Sequence, residues 1–304
     1  MAIHHKRSRP STSRRRAGRG GRRNNPGRTK KLLLLGAVPL VVIGGGGFAL
    51  AQYMKIEKID DAYCFARADQ HQTAIFLDNS MQANLPAQQL RDYQTGFDNA
   101  YAQAPANTRI AIFTTASDIS GSLAKPVASI CKPAATTNEQ ADLRAPSKPA
   151  PYLANRAREA KAHYSDIVGR VLADAQDTSK AAGDSPILEQ LQAISRYSGF
   201  TSSNRSLVAI TDGIQNSEIA RFCAVQGDMP RFAIFEQQAR YKHVKPRSLA
   251  GVNVNLLLVE SATLPQKGLA YCTNNEVRNW WPAYFTANGA ASVESNRLRH
   301  GTGG

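Results

Sequence analysis

Three short stretches hold the side chains of this chain that could do chemistry together. Asp78-Asn79-Ser80-Met81-Gln82 follows the apolar run Thr73–Leu77, Asp184-Ser185 precedes a helical pattern starting at Pro186, and Thr211-Asp212-Gly213 follows the run Leu207–Ile210. Asp78, Ser80, Ser185 and Asp212 are hard oxygen donors, the type that Mg²⁺ takes at roughly 2.0–2.1 Å while keeping several waters. Two carboxylates and two hydroxyls could hold such an ion and leave one position open. Each stretch also has a purely local reading. Asp, Asn and Ser bond their own backbone in turns, Ser185 ahead of Pro186 makes a good helix N-cap, and Asp212-Gly213 is an ordinary turn pair.

The elements around these stretches decide whether they can meet. The short apolar runs Thr73–Leu77, Ile110–Phe113, Leu207–Ile210 and Val252–Val259 read as buried strands, with a further short strand at Val127–Cys131. Between them lie stripes at helical spacing: Leu90, Tyr93, Phe97 and Tyr101; then Ala160, Tyr164, Ile167, Val168, Val171 and Leu172; then Ile187, Leu188, Leu191 and Ile194. A final helix is expected over Asn275–Phe285, where the spacing of Trp280, Trp281, Tyr284 and Phe285 favours core packing over a binding patch. Continuous apolar strands separated by amphipathic helices predict an α/β domain, a doubly wound, mostly parallel sheet covered on both faces. One domain over 73–290 can bury such a core. Residues 114–185 are long for one connection and are read as carrying an insertion, 54–72 as a linker and 291–304 as a flexible tail. Arg221–Val244 shows no clear pattern. Sites in open parallel sheets form beyond the carboxyl ends of the strands, so the three stretches should gather on one edge.

Taken in this order, the elements and motifs resemble the von Willebrand factor type A domain. That family's metal-ion-dependent adhesion site uses a D-x-S-x-S loop after the first strand, a Thr from a second loop, and an Asp after the fourth strand, often within T-D-G. Asp78 and Ser80 match the first two positions, Ser185 in Ser-Pro-Ile-Leu-Glu-Gln-Leu stands where Thr is usual, and Asp212 matches the last acid. Gln82 stands where the second Ser belongs, keeping an oxygen donor on a longer arm. The resemblance covers roughly residues 70–290. It implies a Rossmann-like doubly wound topology and Mg²⁺, with Mn²⁺ or Ca²⁺ as substitutes, held by Asp78, Ser80, Ser185 and Asp212. It also implies a protein partner that offers an acidic group to the open position.

Enzyme signatures are sparse, and the chain is read as a binding module rather than an enzyme. No G-x-x-x-x-G-K-[ST], H-E-x-x-H or G-x-S-x-G occurs in the sequence. Gly183-Asp184-Ser185 is similar to the G-D-S nucleophile block of serine esterases, which normally follows the first strand and needs a His near the C-terminus. His243, in a Lys/Arg-rich stretch, and His300, in a Gly-rich tail, are the candidates. A periplasmic serine hydrolase using Ser185 is therefore the alternative, and a metal-free structural envelope component is a third version.

Charge is uneven along the chain. Twelve of the 38 Lys and Arg fall in residues 1–31, which contain no acid, so residues 32–304 balance 26 basic against 23 acidic side chains. That distribution excludes a uniformly basic globule. The leader lacks aromatic residues to stack on bases, so nucleic acid is not the expected partner. It is expected to be a disordered cytosolic tail that touches anionic lipid. Leu32–Tyr53 runs for twenty-two residues without a charge, enough to span a hydrocarbon core of about 30 Å as a helix. The basic leader before it orients the N-terminus to the cytosol and residues 54–304 outside. Ala49-Leu50-Ala51 offers a signal-peptidase pattern as the competing reading. The expected setting is a single-pass bacterial inner-membrane protein with a periplasmic or extracellular domain. Cys64, Cys131, Cys223 and Cys272 all fall on the outer side and suggest two disulfides, with three pairings open.

Overall fold

The computed structural model describes residues 59–66, 68–80, 87–115, 125–177, 184–223, 229–259 and 274–298. Their centre is a six-stranded sheet made of β1 (His71–Leu77), β2 (Thr108–Thr114), β3 (Ala128–Lys132), β4 (Arg205–Thr211), β5 (Val252–Val259) and β6 (Ser292–Leu298). The strand order is β3-β2-β1-β4-β5-β6. All neighbours pair in parallel except β2 and β3. This is the mostly parallel α/β sheet that the apolar runs predict.

Both faces of the central strands are buried, which is why those strands read as continuous apolar runs. Ala74, Phe76, Leu207, Ala209, Val254 and Leu256 face one layer, formed by α4 (Ile187–Arg196) and α7 (Asn274–Ala287) with two short helical turns, α5 (Phe232–Phe235) and α6 (Tyr241–Val244). Ile75, Leu77, Ile110, Ile112, Val208 and Ile210 face the other layer, α1 (Ala87–Gln103) and α3 (Ala150–Gln176). A short helix, α2 (Thr137–Asp142), begins with a capping box in which Thr136 and Glu139 satisfy each other's backbone N–H groups.

Three boundaries differ from the expectation. The 114–185 stretch is no added decoration: it supplies edge strand β3 and the whole of α3, whose Tyr164 hydroxyl donates to the Phe97 carbonyl at 2.7 Å inside the core. The expected tail contains β6, paired in parallel with β5 from Asn253↔Ser292 to Val259↔Leu298. Its sequence, SVESNRL, hides the strand because no residue in it is fully buried. An edge strand with polar side chains is a common defence against unwanted pairing.

The segment expected as a linker folds onto the sheet from Ile59 onward. Cys131 N–H donates to the Ala62 carbonyl at 2.8 Å, and Cys64 is disulfide-bonded to Cys131 across a sequence separation of 67. Cys223 is also disulfide-bonded; Cys272 lies outside the described residues. So do the basic leader, Leu32–Tyr53, Ala49–Ala51 and the remainder of the tail. Among the described residues no helix is long and apolar enough to cross a membrane.

Candidate functional site

Strands β1 and β4 lie side by side at the point where the winding of the sheet reverses. Connections leaving their carboxyl ends diverge to opposite sides, and the crevice between them is where such sheets form sites. The β1–β4 ladder runs one step past the strand, because Asp78 N–H donates to the Ile210 carbonyl at 2.8 Å. That bond fixes the Asp78 carboxyl at the floor of the crevice, where it is 1% exposed.

Asp78 gathers hydroxyls from its own loop, from the loop before α4 and from the end of β4. Its Oδ1 accepts from the Ser80 hydroxyl at 2.5 Å and the Ser80 N–H at 3.1 Å. Its Oδ2 accepts from Ser185 Oγ at 2.9 Å and from Thr211 Oγ1 at 2.7 Å. Burial raises the Asp78 pKa above the usual carboxylate value, against the lowering effect of those hydrogen bonds. Asp212 follows directly on β4 and is half-buried, with its Oδ1 accepting from the Ile214 N–H at 2.8 Å. Burial, and then the neighbouring Asp78 charge, push Asp212 up to about 8. The structure thus brings Asp78, Ser80, Ser185 and Asp212 to one crevice. Gln82 lies outside the described residues.

The local readings can now be judged one by one. Ser185 does not cap the following helix. Pro186 occupies the N-cap position of α4 with no side-chain cap bond, while the Ser185 hydroxyl turns to Asp78 and its backbone pairs with Asn216 through N–H to carbonyl bonds of 2.8 and 2.9 Å. The helix end is met instead by Gln215, whose Oε1 accepts from Leu188 N–H at 2.8 Å. The Asp212-Gly213 turn does exist, and here only Gly fits. Gly213 has φ +74°, and a Cβ there would lie 2.6 Å from both Trp281 Nε1 and Val277 Cγ1. Trp281 Nε1 donates to the Gly213 carbonyl at 3.0 Å. The aromatic cluster is core, as its spacing implies: Trp280, Trp281, Tyr284 and Phe285 are all buried, and Trp280 stacks on Tyr284.

Sequence reasoning missed Thr211, Thr115 and Gln215 as participants. Thr211 stood in plain view beside Asp212, but only the paired strands show its hydroxyl meeting Asp78. Thr115, just after β2, accepts the Asn79 N–H at 3.0 Å and also bonds the Asn79 side chain. Gln215 is buried and also donates to Glu189 and Ser217; no spacing rule in the sequence marks it.

The donor set suits a hard divalent cation. A hydroxyl that ligates a cation must turn its lone pairs to the ion and give its hydrogen elsewhere. Ser80 and Ser185 both give theirs to Asp78, which leaves lone pairs on the two hydroxyl oxygens, with the Asp212 carboxylate nearby. Among the described residues there is no group of three or more His, Cys, Asp or Glu side chains placed to hold a metal. For hydrolysis the geometry supplies less. Ser185 donates to a carboxylate, and among the described residues no histidine hydrogen-bonds to it; His243 is exposed on α6. His300 lies outside the described residues. No protein-family model matches the chain, and no curated protein matches it.

Proposed function

We propose that this chain is a membrane-anchored, extracytoplasmic protein-binding or scaffolding module built on a von Willebrand type A-like domain. The observation that carries the reading is the convergence of hydroxyls from two loops and the end of β4 on buried Asp78, beside Asp212, at the switch point of a β3-β2-β1-β4-β5-β6 sheet. Asp78 orients Ser80 and Ser185, and Asp212 adds a second carboxylate. Mg²⁺ held by the Ser80 and Ser185 hydroxyls and the Asp212 carboxylate, with Asp78 positioning the two hydroxyls, would supply a Lewis-acidic position for an acidic group of a partner protein. Asp78 and Ser185 are buried, which shields their oxygens from competing water.

Thermal unfolding of the oxidised protein in EDTA, Mg²⁺ or Mn²⁺ tests this, with Asp212→Ala as control. A ligand at about 100 times its Kd stabilises the native state by about 2.7 kcal/mol. A metal-dependent rise that vanishes in Asp212→Ala is the expected result. Superimposable curves would instead favour a metal-free scaffold, the reading supported by the four hydrogen bonds that already satisfy Asp78. Ester turnover that depends on Ser185 and His243 would replace both with a hydrolase.

A further inference from the structure

The opposite edge of the sheet, at the amino ends of the parallel strands, carries a divided charge. Over β4 and β5 lie Arg196 at the end of α4 and Lys242, His243, Lys245 and Arg247 in and after α6, all exposed. Hydrogen bonds make this one surface. Gln192 Nε2 donates to the carbonyls of His243 and Lys245 at 2.7 and 3.1 Å, and Arg247 N–H donates to Ser195 Oγ at 2.8 Å. Arg205, at the start of β4, ties the same surface to the 250 loop through the Ala250 carbonyl at 2.7 Å. Among the described residues every ion pair lies on α1 and α3, so none of these cations is neutralised that way. Glu236 is the one acid between residues 229 and 250. Acids at this end of the sheet lie elsewhere: Asp60, Asp61 and Asp69 in the entering segment, which packs against β2 and β3, Glu139 and Asp142 in α2 after β3, and Glu294 on edge strand β6.

The chain enters at this same edge. Gln72 at the start of β1 accepts from the Thr201 and Ser202 N–H groups at 2.6 and 2.8 Å, and its own N–H donates to the Asn204 carbonyl. From Tyr53, the end of the apolar segment, to Ile59 is six residues, at most about 20 Å of extended chain. The geometry points to a function for the basic half of this edge: Arg196, Lys242, Lys245 and Arg247 dock on anionic phosphate headgroups of the membrane next to which the domain is tethered. The inference rests on the reading of Leu32–Tyr53 as an uncleaved anchor. Charge complementarity and the short tether are its two supports, since a basic surface at the same end of the sheet as the tether meets an anionic bilayer at high effective concentration. Docking there leaves the Asp78 crevice, at the far end of the strands, turned away from the lipid and accessible to a partner.

The test uses the full chain in nanodiscs of phosphatidylcholine alone or with about one-third phosphatidylglycerol, read by amide exchange over residues 241–250. Exchange is expected to slow by about fivefold or more in the anionic discs. The slowing is expected to disappear in high salt and in the combined Lys242→Ser, Lys245→Ser, Arg247→Ser variant, whose side chains are all exposed. Equal exchange in the two lipids, with the protein retained in membranes after alkaline carbonate, overturns the docking alone. Release by carbonate overturns the anchor reading and the docking with it.

Discussion

The two ends of β1 and β2 handle buried polarity in opposite ways. At the carboxyl end, Asp78 is buried with neutral donors only, and a second carboxylate follows the neighbouring strand. At the amino end, Asn107 sits in the left-handed region (φ 59°) and is fully buried, yet its side chain is matched group for group to backbone. Its Oδ1 accepts from Phe65 N–H at 2.8 Å, and its Nδ2 donates to the carbonyls of Phe65 and Asp69 at 3.1 Å each. The Cys64–Cys131 bridge closes the same corner. A neutral amide with all its partners stabilises the fold, whereas a buried carboxylate without a counter-ion opposes it. One end of the sheet is built for rigidity, and the other retains an unfavourable charge that a ligand could relieve.

Five changes test that contrast, and Gly213→Val is the most disruptive. A β-branched residue at φ +74°, with its Cβ driven into Trp281 and Val277, is expected to lower stability by about 4 kcal/mol or more. Chemical denaturation showing a loss below 1 kcal/mol would mean that α7 can move away from the crevice.

Replacing Cys64 and Cys131 together by Ser should lower stability by about 2–4 kcal/mol. An unchanged midpoint under non-reducing conditions would remove the bridge from the account of the rigid end. Asn107→Ala leaves buried backbone groups without partners and is expected to cost about 2–3 kcal/mol, with faster amide exchange at Phe65 as its local sign.

The charged end makes a pH prediction. Asp78 and Asp212 both have folded-state values above the unfolded 3.8, with Asp212 at about 8. The native state therefore binds more protons than the unfolded state between about pH 4 and pH 8, so metal-free stability falls as pH rises through that window. The effect should be about 1–2 kcal/mol, allowing for solvent around half-buried Asp212. Asp212→Asn should flatten the profile, and a flat wild-type profile in EDTA would contradict an unfavourable buried charge at this end.

Smallest of all is the surface pair Lys161–Asp98 at 2.5 Å, whose side chains are 42% and 43% exposed. Burial tends to raise Asp98, but the Lys161 hydrogen bond and charge, with Gln94, bring it below the usual value. Lys161→Ala is expected to change stability by less than about 1 kcal/mol. A larger loss would point to the cation–π contacts of Lys161 Nζ over the Tyr101 and Tyr164 rings.

Strands buried on both faces were legible because each is an unbroken apolar run, and α1, α3 and α4 because their stripes repeat at helical spacing. Edge strand β6 was not legible: only one of its seven residues is a β-branched apolar residue, and its identity as a strand comes from the ladder to β5. Asp78, Ser80 and Asp212 could be picked out by type and position after apolar runs. Ser185 was picked out too, but its direction was decided elsewhere, because a Ser before Pro satisfies a helix cap as readily as a distant carboxylate.

By itself, then, the sequence determined the layers of the fold, through hydrophobic periodicity that each residue carries locally. It also determined which oxygen donors stood at strand ends. Tertiary structure alone decided that Thr211 and Ser185 share one oxygen of Asp78, that Gln215 rather than Ser185 meets the end of α4, and that Cys64 joins Cys131. Those outcomes depend on hydrogen-bond partners 27 to 133 residues apart and on a disulfide spanning 67. Such pairings are selected by the packing of the whole sheet, and no local pattern encodes them.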